Sequence, residues 1–174
     1  MDINTQIIEF YLGNIPDNRG RTLEQIWKKH HQWLEATHDY IQWLFPLTKR
    51  SQFNTNAPIL IASDIQKFQA SEELRNRLAQ SLNLMLDFYG LSCEENEVGV
   101  ASIRLSKTFP ERKQVWLHWG NHNHLRITRI LKSLKLLGLE VHAQAFFKCL
   151  EQIYLAERDQ ITTLTYSLWQ EAVK

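Results

Sequence analysis

The 174-residue sequence is poor in residues that bend or cross-link a chain: two cysteines, four prolines and six glycines. So little turn-forming material argues against a turn-dense β-sandwich. The two thiols, Cys93 and Cys149, are far apart and in no close-spaced motif, which excludes a disulfide scaffold; they are expected to be reduced and structural. Neither sign of charge is in excess. Twenty Lys and Arg against 19 Asp and Glu leave +1 with histidine neutral, which excludes a whole-surface nucleic-acid binder or a polybasic membrane protein. Long hydrophobic runs are missing as well. The stretches Pro58 to Ala62 and Trp43 to Leu47 fall far short of the roughly 20 apolar residues of a bilayer span. No basic segment leads into an apolar one at the N-terminus, so no signal peptide is expected and the reading is a soluble, cytoplasmic protein.

What is abundant is aromatic. Six Trp, eight Phe and five Tyr bring large apolar surfaces whose indole and phenol groups need partners when buried. At 44% hydrophobic and 22% charged, the composition is that of an ordinary globular chain, and 1–174 reads as a single domain.

Helical punctuation recurs. Thr22 with Gln25 has the capping-box form, and Leu23, Ile26, Trp27, His30, Trp33 and Leu34 follow at helical spacing. A second start at Thr37 leads into Tyr40, Ile41, Trp43 and Leu44 before Pro46 stops it. Ser63 with Gln66 caps a short helix, and Ser71 opens a long one striped by Leu74, Leu78, Leu82 and Met85 and closed by Gly90. Asn121 caps a helix closed by Gly138. Val141 to Ala156 and Asp159 to Ala172 follow, with Phe146, Phe147, Leu150, Ile153, Leu164, Leu168 and Trp169 expected to face inward. Between Gly90 and Gly120 the pattern fits a long loop or a small hairpin. The prediction is an all-α, irregularly packed domain of about seven or eight helices.

Three groups of residues offer chemistry. His118, His122 and His124 fall within seven residues and could ligate zinc, but Gly120 and Asn121 interrupt them and no Cys or carboxylate lies nearby in sequence; no metal or other cofactor is expected. The same segment reads as an anion site, with Asn121 capping the helix, free amides at His122, Asn123 and His124, and the planar forks of Arg126 and Arg129 adjacent on one face. Against this stands a structural role, in which the arginines bridge to acids elsewhere and the histidines satisfy buried polar atoms. His38 and Asp39, with Gln42 and Trp43, form the second group. A histidine beside a carboxylate suits a general base, but helical neighbours diverge by about 100°, so a dipole-stabilising Asp and a core Trp fit better. The third group is the basic segment 99–135, where eight cations against the lone Glu111 give +7 and leave −6 on the rest. With Phe109, Trp116 and Trp119 interleaved, it could stack bases and neutralise phosphates of a nucleic acid or nucleotide. No Gly-rich phosphate loop, serine elbow or zinc-protease helix occurs, so an enzyme is the least expected class.

Three blocks in order carry a resemblance: His38 to Leu47 (HDYIQWLFPL), Leu84 to Gly90 (LMLDFYG) and Asn121 to Leu134 (NHNHLRITRILKSL). Together they resemble the conserved region of the opioid growth factor receptor family, from about Phe10 to about Leu150. The resemblance implies a receptor-type domain, unlike the seven-helix opioid receptors, that binds a short enkephalin-like peptide or an anionic small molecule, with no catalytic residues to transfer. It also implies nuclear-periphery or peripheral membrane association. The chain departs from the family pattern in ending soon after the shared region and in having no compact basic import cluster, so the resemblance leaves nuclear traffic and growth control open for it. A peptide presents an amine, apolar side chains and a carboxylate. Asp39, Trp43 and Phe45 with Arg126 and Arg129 would meet those needs if the first and third blocks converge.

Overall fold

A computed structural model describes residues 5–174. The chain is mostly helical, with ten α-helices and one two-stranded sheet among the described residues, more helices than the sequence suggests. It divides into two compact units, Met1–Ser81 and Leu82–Lys174.

The first unit holds α1 (Gln6–Tyr11), α2 (Leu23–Trp27), α3 (His31–Ala36), α4 (Ile41–Leu44), α5 (Ala62–Ala70) and the first half of α6 (Glu72–Tyr89). Thr22 forms the expected capping box, its hydroxyl accepting the Gln25 amide while Gln25 Oε1 accepts the Thr22 amide. The helix expected to run on to Leu34 is broken instead, because His30 Nδ1 accepts the Trp33 N–H and caps a new helix. Thr37 closes α3 rather than opening the next helix, and α4 is a single turn ahead of Pro46. At α5 the capping carboxylate is the fully buried Asp64, which accepts from the Ile61 amide, and not Ser63. Ser71 does open α6, accepting the Leu74 amide.

Aromatic edges lock this core. Phe10 meets Trp43 at 5.1 Å and Tyr11 meets Phe68 at 5.0 Å, both edge to face. Tyr11 donates to the Leu44 carbonyl, and Ser81 Oγ accepts the Trp27 indole N–H at 3.0 Å. Burial pushes the Tyr11 phenol far above its ordinary range.

The second unit begins with the rest of α6. The hairpin follows, β1 (Leu91–Glu95) pairing antiparallel with β2 (Ala101–Leu105) so that Cys93 faces Ile103. After it come α7 (Phe109–Trp116), α8 (Asn123–Leu136), α9 (Glu140–Ala156), a 3-10 turn (Arg158–Gln160) and α10 (Thr163–Ala172). Helix α8 packs against α9 and α10, and α9 also covers β2. The region between Gly90 and Gly120 is thus a hairpin plus a helix. Sequence reading misses α7 because its buried stripe, Phe109, Arg112 and Trp116, contains an arginine. A second difference is on α10: Trp169 and Ala172 turn inward, which leaves Leu164 68% exposed and Leu168 at the surface. Thr162 caps that helix through the Thr165 amide.

Gly90 joins α6 to β1 at φ +79°, and a Cβ there would lie 2.7 Å from Phe109 Cα and 2.9 Å from Arg112 Cβ. Gly90→Ala is expected to lose more than about 2 kcal/mol in urea denaturation, since backbone must shift on top of left-handed strain. Gly20→Ala, at φ +78° with nothing within 4 Å of its Cβ, should lose only about 1 kcal/mol.

Candidate functional site

In the first unit, the block His38 to Leu47 is held by a charged loop that precedes it. Asp17, whose side chain is fully buried, accepts the Arg19 and Arg21 amides on Oδ1 and the Arg21 Nε–H on Oδ2, folding residues 17–21 into a tight turn. Arg21 then reaches beyond Asp17 and donates from Nη1 to Asp39 Oδ1 at 2.9 Å, while Arg19 Nε donates to Asp39 Oδ2 at 3.0 Å. The Asp39 carbonyl accepts from Asn54 Nδ2, and Trp43 Nε1 donates to Asn18 Oδ1 at 3.1 Å. Burial raises the Asp39 carboxyl, but the hydrogen bonds and charges of Arg21 and Arg19 outweigh it and hold the group below its usual range. Asp39 therefore stays ionised, with both of its carboxylate oxygens accepting from arginines; His38 itself is exposed. Trp43 and Phe45 are core residues and not the walls of an open cleft. Gln42 is only 4% exposed, and its Oε1 has no hydrogen-bond partner among the described residues.

In the second unit, the residue at the N-cap of α8 is His122 and not the expected Asn121, which instead makes an Asx turn just ahead of the helix, its Oδ1 accepting the Asn123 amide at 2.9 Å. The His124 amide bonds to the Asn121 carbonyl and the Leu125 amide to that of His122. The amides of Asn123 and His124, expected to be free for an anion, are thus satisfied inside the turn. His122 is exposed, Asn123 is fully buried, and buried Arg126 donates to Asn123 Oδ1 at 3.3 Å. Burial pulls the Arg129 guanidinium below its usual value, though it remains charged near neutral pH.

His124 is a structural hub. Its Nε2 lies 3.0 Å from the Trp116 carbonyl, which can only accept, so Nε2 carries the proton. Its own carbonyl takes the Trp169 indole N–H and the Thr128 hydroxyl, and its ring meets Trp116 and Trp169 edge to face. Trp116 in turn donates to the Tyr89 carbonyl. His118 Nε2 sits 3.1 Å from the Val115 carbonyl. Among the described residues no group of three His, Cys, Asp or Glu is placed to hold a metal ion. Burial pushes the Cys149 thiol up to about 11 and raises that of Cys93 too, which suits neither to nucleophilic attack.

Part of the basic segment is used inside the fold, while Arg104, Lys107 and Lys132 are exposed. Arg112 is buried, donating to the Phe88 carbonyl at 2.7 Å and lying over the Phe88 ring, and Lys113 pairs with Glu157. Of the aromatic residues expected to stack bases, Phe109 and Trp116 are buried and Trp119 is exposed. Sequence reasoning missed the 17–21 loop. Its signal was an Asp three residues before a Gly, a turn former between two arginines.

The sequence matches the opioid growth factor receptor conserved region over residues 3–168. The chain belongs to the opioid growth factor receptor family. It is 43% identical over 121 residues to the human opioid growth factor receptor, covering 70% of this chain and 17% of that protein. For the mouse receptor the identity is 45%, with 70% of this chain and 18% of the relative covered. Opioid growth factor receptor-like protein 1 of Xenopus tropicalis is 38% identical over 137 residues, 76% of this chain and 26% of that protein. The chain thus spans only a minor part of these relatives. No solved structure matches it. No helix among the described residues is long and apolar enough to cross a membrane.

Within this family fold, burial lowers the His124 pKa from its usual 6.5; its bond to Trp116 opposes this, and the nearby His118 and His122 reinforce it. The folded chain therefore binds this proton less tightly than the unfolded chain. The stabilisation is full above about 6.5 and is lost as pH falls toward the folded-state pKa. His124→Gln should lose about 1–3 kcal/mol at pH 7 and flatten the fall in stability as pH drops below about 6.5, read from denaturation midpoints across a pH series.

Proposed function

We propose that this member of the family binds a short peptide or an anionic small molecule, through the loop 17–21 and the block that starts at His38. The observation that carries the reading is the Arg19–Asp39 pair. The Arg19 side chain is 68% exposed while its partner is held from the other side by Arg21. An exposed ion pair is worth only about 0–1 kcal/mol, so it opens at little cost. A ligand carboxylate or phosphate can then take Arg19, and a ligand ammonium can take the vacated side of Asp39. A zwitterionic peptide supplies both charges. The name of the relatives, opioid growth factor receptor, describes receptors for a growth factor and agrees with this class of ligand.

The start of α8 supplies a second set of polar side chains, exposed His122 and half-buried Arg129, with Arg126 buried beneath them. Its first-turn amides are engaged, so ligand capture there would fall to side chains alone.

Calorimetry with a panel of short free peptides and phosphorylated metabolites tests the reading. At least one should bind, and Arg19→Gln should weaken that binding about tenfold or more while leaving the unfolding midpoint within about 2 °C. Loss through Arg129→Gln with Arg19→Gln silent would move the site to α8. A panel with no binder would discard the reading.

A further inference from the structure

Helix α8 packs on α9 and α10 and buries most of its circumference, but one narrow side of it faces solvent with an ordered pattern. Leu125 is 57% exposed and Lys132 is exposed, while Arg129 and Leu136 are half-buried. All four lie within Asn123–Leu136, and at about 100° per residue they fall inside a sector of about 60°. Buried Thr128 and Ser133 border that sector, one on each side. Along it the order is leucine, arginine, lysine, leucine, over about 16 Å. No acid occurs between Asn121 and Leu139, so the helix brings no negative charge of its own to the two cations.

We infer that this stripe docks an acidic amphipathic helix of a partner protein, whose carboxylates meet Arg129 and Lys132 and whose apolar side chains cover Leu125 and Leu136. A helix fits because the stripe is straight and one side chain wide, and its i, i+4, i+7, i+11 spacing is that of helix-to-helix anchors. Charge complementarity sets the sign of the partner. Burial works against the Arg129 charge, and a partner carboxylate upholds it. Other occupants fit less well. A second copy offering the same stripe would set Arg129 and Lys132 against the same two cations, whichever way the helices ran, and like charges repel across an interface. Two cations are few for a nucleic acid, where affinity grows with each phosphate neutralised. They are also few for an anionic membrane, which is recognised by clusters of about four to eight Lys and Arg, and two leucines are a small apolar face to lay in a bilayer surface.

A fluorescein-labelled synthetic helix of about 20 residues, with Leu, Glu, Glu and Leu at the spacing of the stripe and neutral helix formers elsewhere, tests the inference by anisotropy. It should bind at least about tenfold more tightly than a scrambled peptide of the same composition, and the amide shifts it causes in NMR spectra should centre on α8. Leu125→Ala should weaken binding about fivefold or more, and Lys132→Glu about tenfold or more. Both residues are exposed, so each variant should keep its unfolding midpoint within about 2 °C of wild type. A peptide with Lys in place of its Glu residues should bind Lys132→Glu better than wild type, which a merely structural effect of the substitution would not produce. Equal binding of the ordered and scrambled peptides overturns the inference, as does unchanged affinity in Lys132→Glu. Binding to phosphatidylserine vesicles or to single-stranded DNA that is tighter than to the peptide and is lost in Leu125→Ala also overturns it, by giving the stripe another occupant. A dimer in sedimentation that Leu125→Ala abolishes does the same in favour of a second copy.

Discussion

A buried indole N–H has one proton to give and no water to receive it, and this constraint shapes both units. Trp27 donates to Ser81, Trp43 to Asn18, Trp116 to the Tyr89 carbonyl and Trp169 to the His124 carbonyl. Each bond joins segments distant in sequence. In the first unit, the Trp43 bond fixes where the 17–21 loop lies, and with it the arginines that hold Asp39. In the second, the Trp116 bond ties α7 to the end of α6 and the Trp169 bond ties α10 to the start of α8. The aromatic richness of the chain is therefore a source of register as well as of apolar area.

The second organising feature is the use of cations inside the fold. The excess of positive charge between 99 and 135 suggests a surface that meets an anion. In the structure Arg112 covers the Phe88 ring and satisfies a main-chain carbonyl, and Arg126 is buried beside Asn123. Arginine suits this role because its stem is apolar and its planar head offers several donors. Charge counted along a sequence carries no information on burial, so the buried Arg112 and Arg126 count there as much as the exposed Arg104, Lys107 and Lys132.

What was legible followed from local rules. The helical class, the capping box at Thr22, the start at Ser71 and the stops at Gly90 and Gly138 all come from residue types acting on their own backbone. The breaks at His30 and Thr37, the cap at Asp64 and the helix α7 depend on side chains whose roles are unusual for their type. A histidine seldom caps a helix, and an arginine seldom belongs to an apolar stripe. Of the candidate site, the block from His38 to Trp43 could be picked out by sequence, but its partners Asp17, Arg19 and Arg21 could not. They are distant in the chain, and only the folded turn brings them to Asp39.

At His124, one residue binds three helices. Its ring donates to the last residue of α7, its carbonyl receives the indole of α10, and its backbone lies in the first turn of α8. No one of these helix ends can fray alone without exposing the polar atoms of the other two. Opening of this corner of the second unit is therefore a single cooperative event, and the amides at the three helix ends share one exchange free energy rather than three separate local ones.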